Sequence, residues 1–281
     1  KQGGEETTIP QLEMFKKYEL TDSQLVELKK HCDSKGVVFL STPTGSDGLK
    51  LLQTLGVELI KNGSDFLTNV ELIEEMAHTQ IPTVFSVGMA TEEEIEDAVE
   101  TFKKSGGKDY ILLHCTSSYP APADEINLSR IPALLASWKC LVGFSDHSEG
   151  NDAAIGATLL GACFVEKHFT LDKELEGPDH CFSANPEEFK DLVLGIRNME
   201  RMLGSPTIEP TKSEVEGRKQ FRLSCIAATD LQQGDAVGKS DVVFSRPGTG
   251  ISPKHKQEML GKVLLQAISK GDQYQWSYFH E

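Results

Sequence analysis

Residues 141–170, LVGFSDHSEGNDAAIGATLLGACFVEKHFT, decide how this chain folds. An apolar run (LVGF) ends in Ser145-Asp146-His147. A helical stretch of small residues follows (NDAAIGATLLG), and a second apolar run (CFV) ends in Glu166-Lys167-His168. Strand, helix and strand within about thirty residues imply parallel pairing through a crossover helix. Near-continuous apolar runs imply strands covered on both faces. The polar residues gather where each strand ends, which is where parallel α/β sheets keep their ligands.

The same rhythm extends in both directions. VVFLST (37–42), VELIKNG (57–63), PTVFSVG (82–88) and YILLHCT (110–116) are further strand candidates, separated by helical patterns such as DGLKLLQTL, TNVELIEEMAH and TEEEIEDAVETFKKSG. In the last of these, Thr91 followed by Glu94 forms a capping box. Six successive strands, each ending in polar chemistry, favour a (β/α)8 barrel over a doubly wound sheet, which would gather its ligands at one switch point. The chain opens with helical patterns (QLEMFKKYEL, TDSQLVELKKHCDSKG), so the first two barrel strands are expected upstream of Lys1. After Leu203-Gly204 the pattern breaks into a polar, Pro-containing linker. Short strand-like pieces and Gly-rich turns then point to a small, mostly-β domain. The expected division is a catalytic barrel at 1–205, a linker at 206–217 and the small domain at 218–281.

The 281 residues carry 28 Lys and Arg against 43 Asp and Glu, a net charge of −15. That balance argues against a nucleic-acid surface, which needs a clustered basic face. No apolar run approaches the ~20 residues of a membrane span, and the polar opening KQGGEETTIPQ lacks a signal-peptide core. The six cysteines are scattered without a CxxC pair. They read as small buried hydrophobes in a reducing cytoplasm.

His147 and His168 stand first among residues that could do chemistry. About one β/α unit separates them, so adjacent strands bring both imidazoles to one rim. Two histidines that leave coordination sites open suit Mn²⁺ or Mg²⁺ more than structural zinc. Asp146 or Glu166 could orient an imidazole from behind. His114 is a candidate third ligand, although its apolar run suits a core role equally. Lys61 with Ser64, and Ser86 one strand later, offers a cation, hydroxyls and backbone N–H groups for a phosphate. Lys61 or Lys167 could instead be a Schiff-base lysine. Gly177-Pro178-Asp179-His180 reads as a turn that could serve as a substrate loop. Arg246, before a Gly-rich turn, is either a surface arginine or a reader of a sugar amide or carboxylate.

FLSTP, KNGSD, SVGMAT, LLHCTSSYPAP, GFSDHS, EKHFTLDK, EGPDH and RPGTGIS, in this order, resemble the sialic acid (nonulosonate) synthase family from Gln11 to the end. The resemblance implies a (β/α)8 barrel with a small antifreeze-like (SAF) domain in a domain-swapped homodimer. It implies metal-dependent condensation of phosphoenolpyruvate with an N-acetylated mannose-type sugar, N-acetylmannosamine, or with a 2,4-diacetamido-trideoxyhexose in the legionaminate and pseudaminate branches. On this resemblance His147 and His168 hold Mn²⁺ or Mg²⁺, and Thr42, Lys61, Ser64, Ser86 and Ser145 bind phosphoenolpyruvate. Tyr119, Glu166 and Asp179 face the sugar and the reacting carbons, with Ser117 as a further substrate contact. Arg246 contacts the N-acetyl group in the partner's site. The family's catalytic glutamate and a Lys–Gln pair fall upstream of Lys1. Three departures stand out: Lys61-Asn62-Gly63-Ser64-Asp65-Phe66 where the family reads KIGSGD, so that the carboxylate comes one place early, Ser117-Ser118 for an asparagine-containing pair, and Thr44 where an aromatic is common.

Overall fold

The computed structural model describes residues 10–280, so the polar stretch 1–9 lies outside the described residues. The chain divides into two compact units, Lys1–Gly204 and Ser205–Glu281.

In the first unit α1 (Gln11–Tyr18), α2 (Asp22–Lys35) and α3 (Ser46–Leu55) precede β1 (Ile60–Asn62). Alternation then follows: α4 (Val70–His78), β2 (Thr83–Ser86), α5 (Glu92–Lys104), β3 (Tyr110–Cys115), α6 (Arg130–Trp138), β4 (Leu141–Asp146), α7 (Asp152–Leu159), β5 (Val165–Lys167) and α8 (Pro186–Leu203). β1 to β5 pair in chain order, all parallel, as a half-barrel sheet. The run VVFLST forms a single bridge, Ser41 to Ile60, rather than a sixth strand. No strand pairs with its other side among the described residues, and Val37 and Val38 stay 57% and 60% exposed.

The sheet's two faces follow the two-residue period of a strand. Phe85, Leu112, Val142 and Phe144 point outward into the main core beneath the helices, joined by Ile95, Val99 and Phe102 of α5 and Ile131 of α6. Phe85, Phe102 and Tyr110 meet edge-on at 5.2–6.4 Å, a geometry worth ~0.5–1.5 kcal/mol per pair beyond burial. α5 starts with the expected box: Glu94 N–H bonds Thr91 Oγ1 at 3.3 Å, and Thr91 N–H bonds Glu94 Oε2 at 2.8 Å. Gly143 allows β4 to lie against β5, since a Cβ there would sit 2.6 Å from the Phe164 carbonyl oxygen. His114 shares the outward face. It is buried, bonds the Ile126 carbonyl at 2.7 Å and lies 5.7 Å from the Phe144 ring, so it is a core residue and no metal ligand.

In the second unit, α9 (Lys212–Phe221) is followed by β6 (Ser224–Ala227) and β7 (Val242–Ser245), which pair antiparallel. The stretch read as linker is thus helical from Lys212, opened by a capping box of Thr211 and Glu214. Cys225, Val237, Met259, Leu264 and Tyr274 form this unit's own core. All six cysteines are free. Cys115 and Cys225 are buried as expected, but Cys163 and Cys181 are exposed, Cys163 in the irregular stretch before β5 and Cys181 in a turn rather than in strand interiors.

Asn62 is 0% exposed on the outward face of β1, and its Oδ1 has no hydrogen-bond partner. Its Nδ2 makes long contacts to the Phe66 carbonyl at 3.4 Å and Met76 Sδ at 3.8 Å. A buried, unpaired acceptor costs ~1–3 kcal/mol, and the resembling family carries isoleucine here. Asn62→Ile is therefore expected to stabilise the first unit by about 1 kcal/mol or more. A lower midpoint of chemical unfolding for this variant would contradict that account.

Candidate active site

The inward face of the sheet carries the polar residues. Cys115 is paired in register with Ser145, and Ser145 with Glu166, so three adjacent strands present side chains at one level. Two residues further on, His147 and His168 return to the same face. A cavity of about 440 Å³ opens there. Its walls include Thr42, Lys61, Ser64, Ser86, Ser117, Tyr119, Ser145, His147, Glu166 and His168, so the sheet brings together every expected site residue except Asp179 and Arg246.

Lys61 Nζ lies 2.8 Å from Glu166 Oε1, and Ser145 Oγ donates to the same oxygen at 2.6 Å. Burial raises the Glu166 pKa, but the Lys61 ammonium and the Ser145 hydroxyl outweigh it and hold the carboxyl below its ordinary range. Lys61 is thereby engaged in an ion pair. Lys167 is enclosed by three oxygen acceptors.

Ser64 Oγ donates to Ser86 Oγ at 2.8 Å and accepts the Gly88 N–H at 3.1 Å. Hydroxyls, a backbone N–H and a cation thus line one wall, the donor set suited to phosphate or carboxylate oxygens.

The His147 and His168 rings stand 5.1 Å apart at 80°. His147 Nδ1 donates to the Thr116 carbonyl at 2.8 Å, which leaves its Nε2 as the lone-pair nitrogen. Burial lowers the His147 pKa, but Cys115, 3.7 Å from Nδ1, and the Thr116 carbonyl reverse the sign, so the net shift is upward. For His168 burial dominates over the attraction of Asp179, and its pKa falls. His168 Nδ1 lies 3.5 Å from Asp179 Oδ2. His147, tied at Nδ1 to a carbonyl, has the usual preparation for metal binding through Nε2, whereas His168 only approaches the Asp179 carboxylate without a hydrogen bond. The pair fits a divalent cation that keeps open positions. Among the described residues no group of three or more His, Cys, Asp and Glu side chains is placed to hold a metal ion, so the protein's donors here are the two imidazoles alone. Tyr119 packs on His147 with ring centroids 4.3 Å apart, and burial raises its pKa.

Asp179 belongs to a neighbouring chamber of about 680 Å³, with Met14, Phe15, Tyr18, Phe169 and Pro178 as apolar walls. Tyr119 and His168 line both spaces. An ion pair between Lys17 and Glu176 ties α1 to the loop that carries Asp179. Arg246 lies in the second unit, its guanidinium over the Phe221 ring at 5.5 Å. Of the departures, Ser117 lines the cavity and Thr44 is not among its walls. Sequence reading missed Cys115, Asp65 and Met89 as wall residues. Cys115 comes level with Ser145 only through the β3–β4 register, which the sequence does not show.

The NeuB family profile matches residues 1–207 and the SAF domain profile residues 224–278. The N,N'-diacetyllegionaminic acid synthase of Legionella pneumophila is 38% identical, over 95% of this chain and 76% of its own length. A pseudaminic acid synthase of Campylobacter jejuni is 33% identical over 94% of this chain and 78% of its own. The crystal structure of the N-acetylneuraminic acid (sialic acid) synthetase of Leptospira borgpetersenii, in complex with citrate, superposes with a TM-score of 0.70 at 36% identity. It covers 73% of this chain and 72% of that one.

A Cβ on Gly88 would lie 2.4 Å from Ser117 Oγ and 2.7 Å from Ser64 Oγ, inside the anion wall. Gly88→Ala is expected to leave the fold intact and weaken binding of a phosphorylated carboxylate at least ~10-fold, the loss of one charge-assisted hydrogen bond. Calorimetric titration with phosphoenolpyruvate checks this, and unchanged affinity would show that the wall is not the anion site.

Proposed function

The chain belongs to the NeuB family, the synthases of sialic and other nonulosonic acids, and from that premise we propose how its cavity carries out the condensation. Phosphoenolpyruvate lies against Lys61, Ser64, Ser86 and the Gly88 N–H, with Thr42 and Ser145 completing its contacts. The amino sugar lies across Tyr119 and toward Asp179, its aldehyde at the histidine pair. The single observation that carries this reading is the shared cavity, which sets a wall of hydroxyls and an ammonium beside two adjacent imidazoles.

His147 and His168 would hold a divalent cation, Mn²⁺ or Mg²⁺, which when bound would supply Lewis acidity for the condensation. Phosphoenolpyruvate C3 forms the new bond to the aldehyde carbon, and water adds at C2. The tetrahedral carbon then collapses with cleavage of its C–O bond to phosphate, leaving a nine-carbon 2-keto acid and inorganic phosphate. Lys61 and the wall hydroxyls stabilise charge on the phosphoenolpyruvate end, and such preorganised donors form the largest part of many catalytic effects. Glu166, held anionic, orients Lys61 and Ser145 and offers a carboxylate to the water that adds at C2. Asp179 orients His168 and receives sugar hydroxyls. The reading includes a domain-swapped homodimer in which Arg246 reaches the N-acetyl group in the partner's site, and a cytoplasmic location.

N-acetylmannosamine is the first acceptor in this reading. The apolar walls beyond Tyr119 and His168 favour a second, a 2,4-diacetamido-2,4,6-trideoxyhexose of the legionaminate or pseudaminate type, whose methyl groups suit Met14, Phe15 and Phe169 where hydroxyls do not. Methyl-sized differences in apolar pockets are worth ~10–200-fold. Phosphate release with the three sugars decides. A preference of about 10-fold or more for a diacetamido sugar, reduced in Met14→Asn, supports the second reading; equal or better use of N-acetylmannosamine by both proteins overturns it.

His147→Ala and His168→Ala are each expected to lower turnover at least ~10²-fold, the scale of losing a main electrostatic group. Near-normal phosphate release after chelation would refute the metal-dependent mechanism.

A further inference from the structure

Behind the rim of the cavity lies a second polar network that the proposed reaction does not use. Asp146 is paired in register with Lys167 on the face of the sheet opposite to Ser145 and Glu166. Lys167 Nζ donates to Asp146 Oδ2 at 2.8 Å, to the Ser148 carbonyl at 2.5 Å and to the Gly150 carbonyl at 2.8 Å. Its three N–H groups therefore match three acceptors, as a compact ammonium allows. The pair is enclosed, with side-chain exposures of 3% for Lys167 and 0% for Asp146. Asp146 Oδ1 in turn accepts the Ser148 N–H at 2.8 Å and the Ser148 hydroxyl at 2.6 Å.

We propose that Lys167 is a positioning residue that fixes His147 relative to His168. The turn 146–150 wraps around its ammonium, with His147 at the second position of that turn and His168 the next residue along the lysine's own strand. One side chain thus ties the element that carries the first imidazole to the element that carries the second, from the side facing away from substrate. The role rests on the reading of the two histidines as the cation-binding pair.

Stability alone gives such a pair little purpose. A buried Lys–Asp pair is matched or exceeded by apolar residues of similar volume, whereas removing one partner strands a charge and frees two turn carbonyls. Orientation is what the network supplies. Partners that hold metal ligands from behind are worth ~10–100-fold in affinity or activity, and a ~1 Å misplacement of reacting groups can cost ~10²-fold.

The test compares the full chain with Lys167→Met and Lys167→Arg, following unfolding by circular dichroism, Mn²⁺ binding by calorimetry, and kcat and KM for phosphoenolpyruvate. Lys167→Met is expected to fold and to bind Mn²⁺ at least ~10-fold more weakly. Its kcat should fall in proportion, while KM for phosphoenolpyruvate stays within about 3-fold, because Lys61, Ser64 and Ser86 are untouched. Lys167→Arg, which retains charge and donors, recovers part of the Mn²⁺ affinity. Should Lys167→Met fail to fold, Asp146→Asn carries the same comparison, since the amide keeps the shape and gives up one of the two acceptor oxygens. Wild-type Mn²⁺ affinity and kcat in the folded variant overturn the positioning role whatever its melting temperature. A wild-type chain that binds no Mn²⁺ overturns the histidine-pair reading, and the role of Lys167 with it.

Discussion

Everything at the site depends on the parallel ladder between β4 and β5. Its register sets Ser145 beside Glu166 and Asp146 beside Lys167. Because side chains alternate every residue, one ladder builds two separate polar layers. The inner layer lines the cavity, and the outer one holds the turn. A slip of one residue would turn over the strand that slips: in β4 it would bring Asp146 into the cavity and set His147 against the helices, and in β5 it would do the same to Lys167 and His168. Burial of Phe144 and Val142 on the outward face makes that slip costly, so the hydrophobic core selects the register on which the chemistry relies.

The charge distribution differs between the whole molecule and its cavity. The chain is acidic overall, at −15. Within the cavity Glu166 is paired with Lys61, and the rest of the wall carries hydroxyls, imidazoles and the Cys115 thiol, with Asp65 as its other carboxylate. An anion entering there meets donors already oriented by Glu166 and by each other, with little reorganisation left to do. The downward shift at His168 and the upward shift at His147 separate two otherwise similar imidazoles. Burial acts on both, and only His147 has a thiol and a carbonyl close enough to reverse it.

Much of this was legible in the residues themselves. Alternating apolar runs and capped helices announced a parallel α/β sheet, and polar residues at each run's end located the site. VVFLST has every local property of a strand, yet it forms one bridge, because a strand needs neighbours and local composition carries no information about them. His114 looked like a possible ligand for the converse reason: its chemistry was visible and its direction was not. Asn62 stood out as a departure, but that its oxygen would be buried without a partner was not readable from the string.

The sequence by itself determined the class of fold, the strand ends that carry chemistry and the family resemblance, because periodicity, capping and motif order are local properties of the chain. Only the tertiary structure decided which ends converge, that Lys61 faces Glu166 across 2.8 Å, and that Lys167 reaches back to the turn of His147. Those are contacts between residues far apart in sequence, and strand register and the direction of each side chain fix them, neither of which a linear pattern encodes.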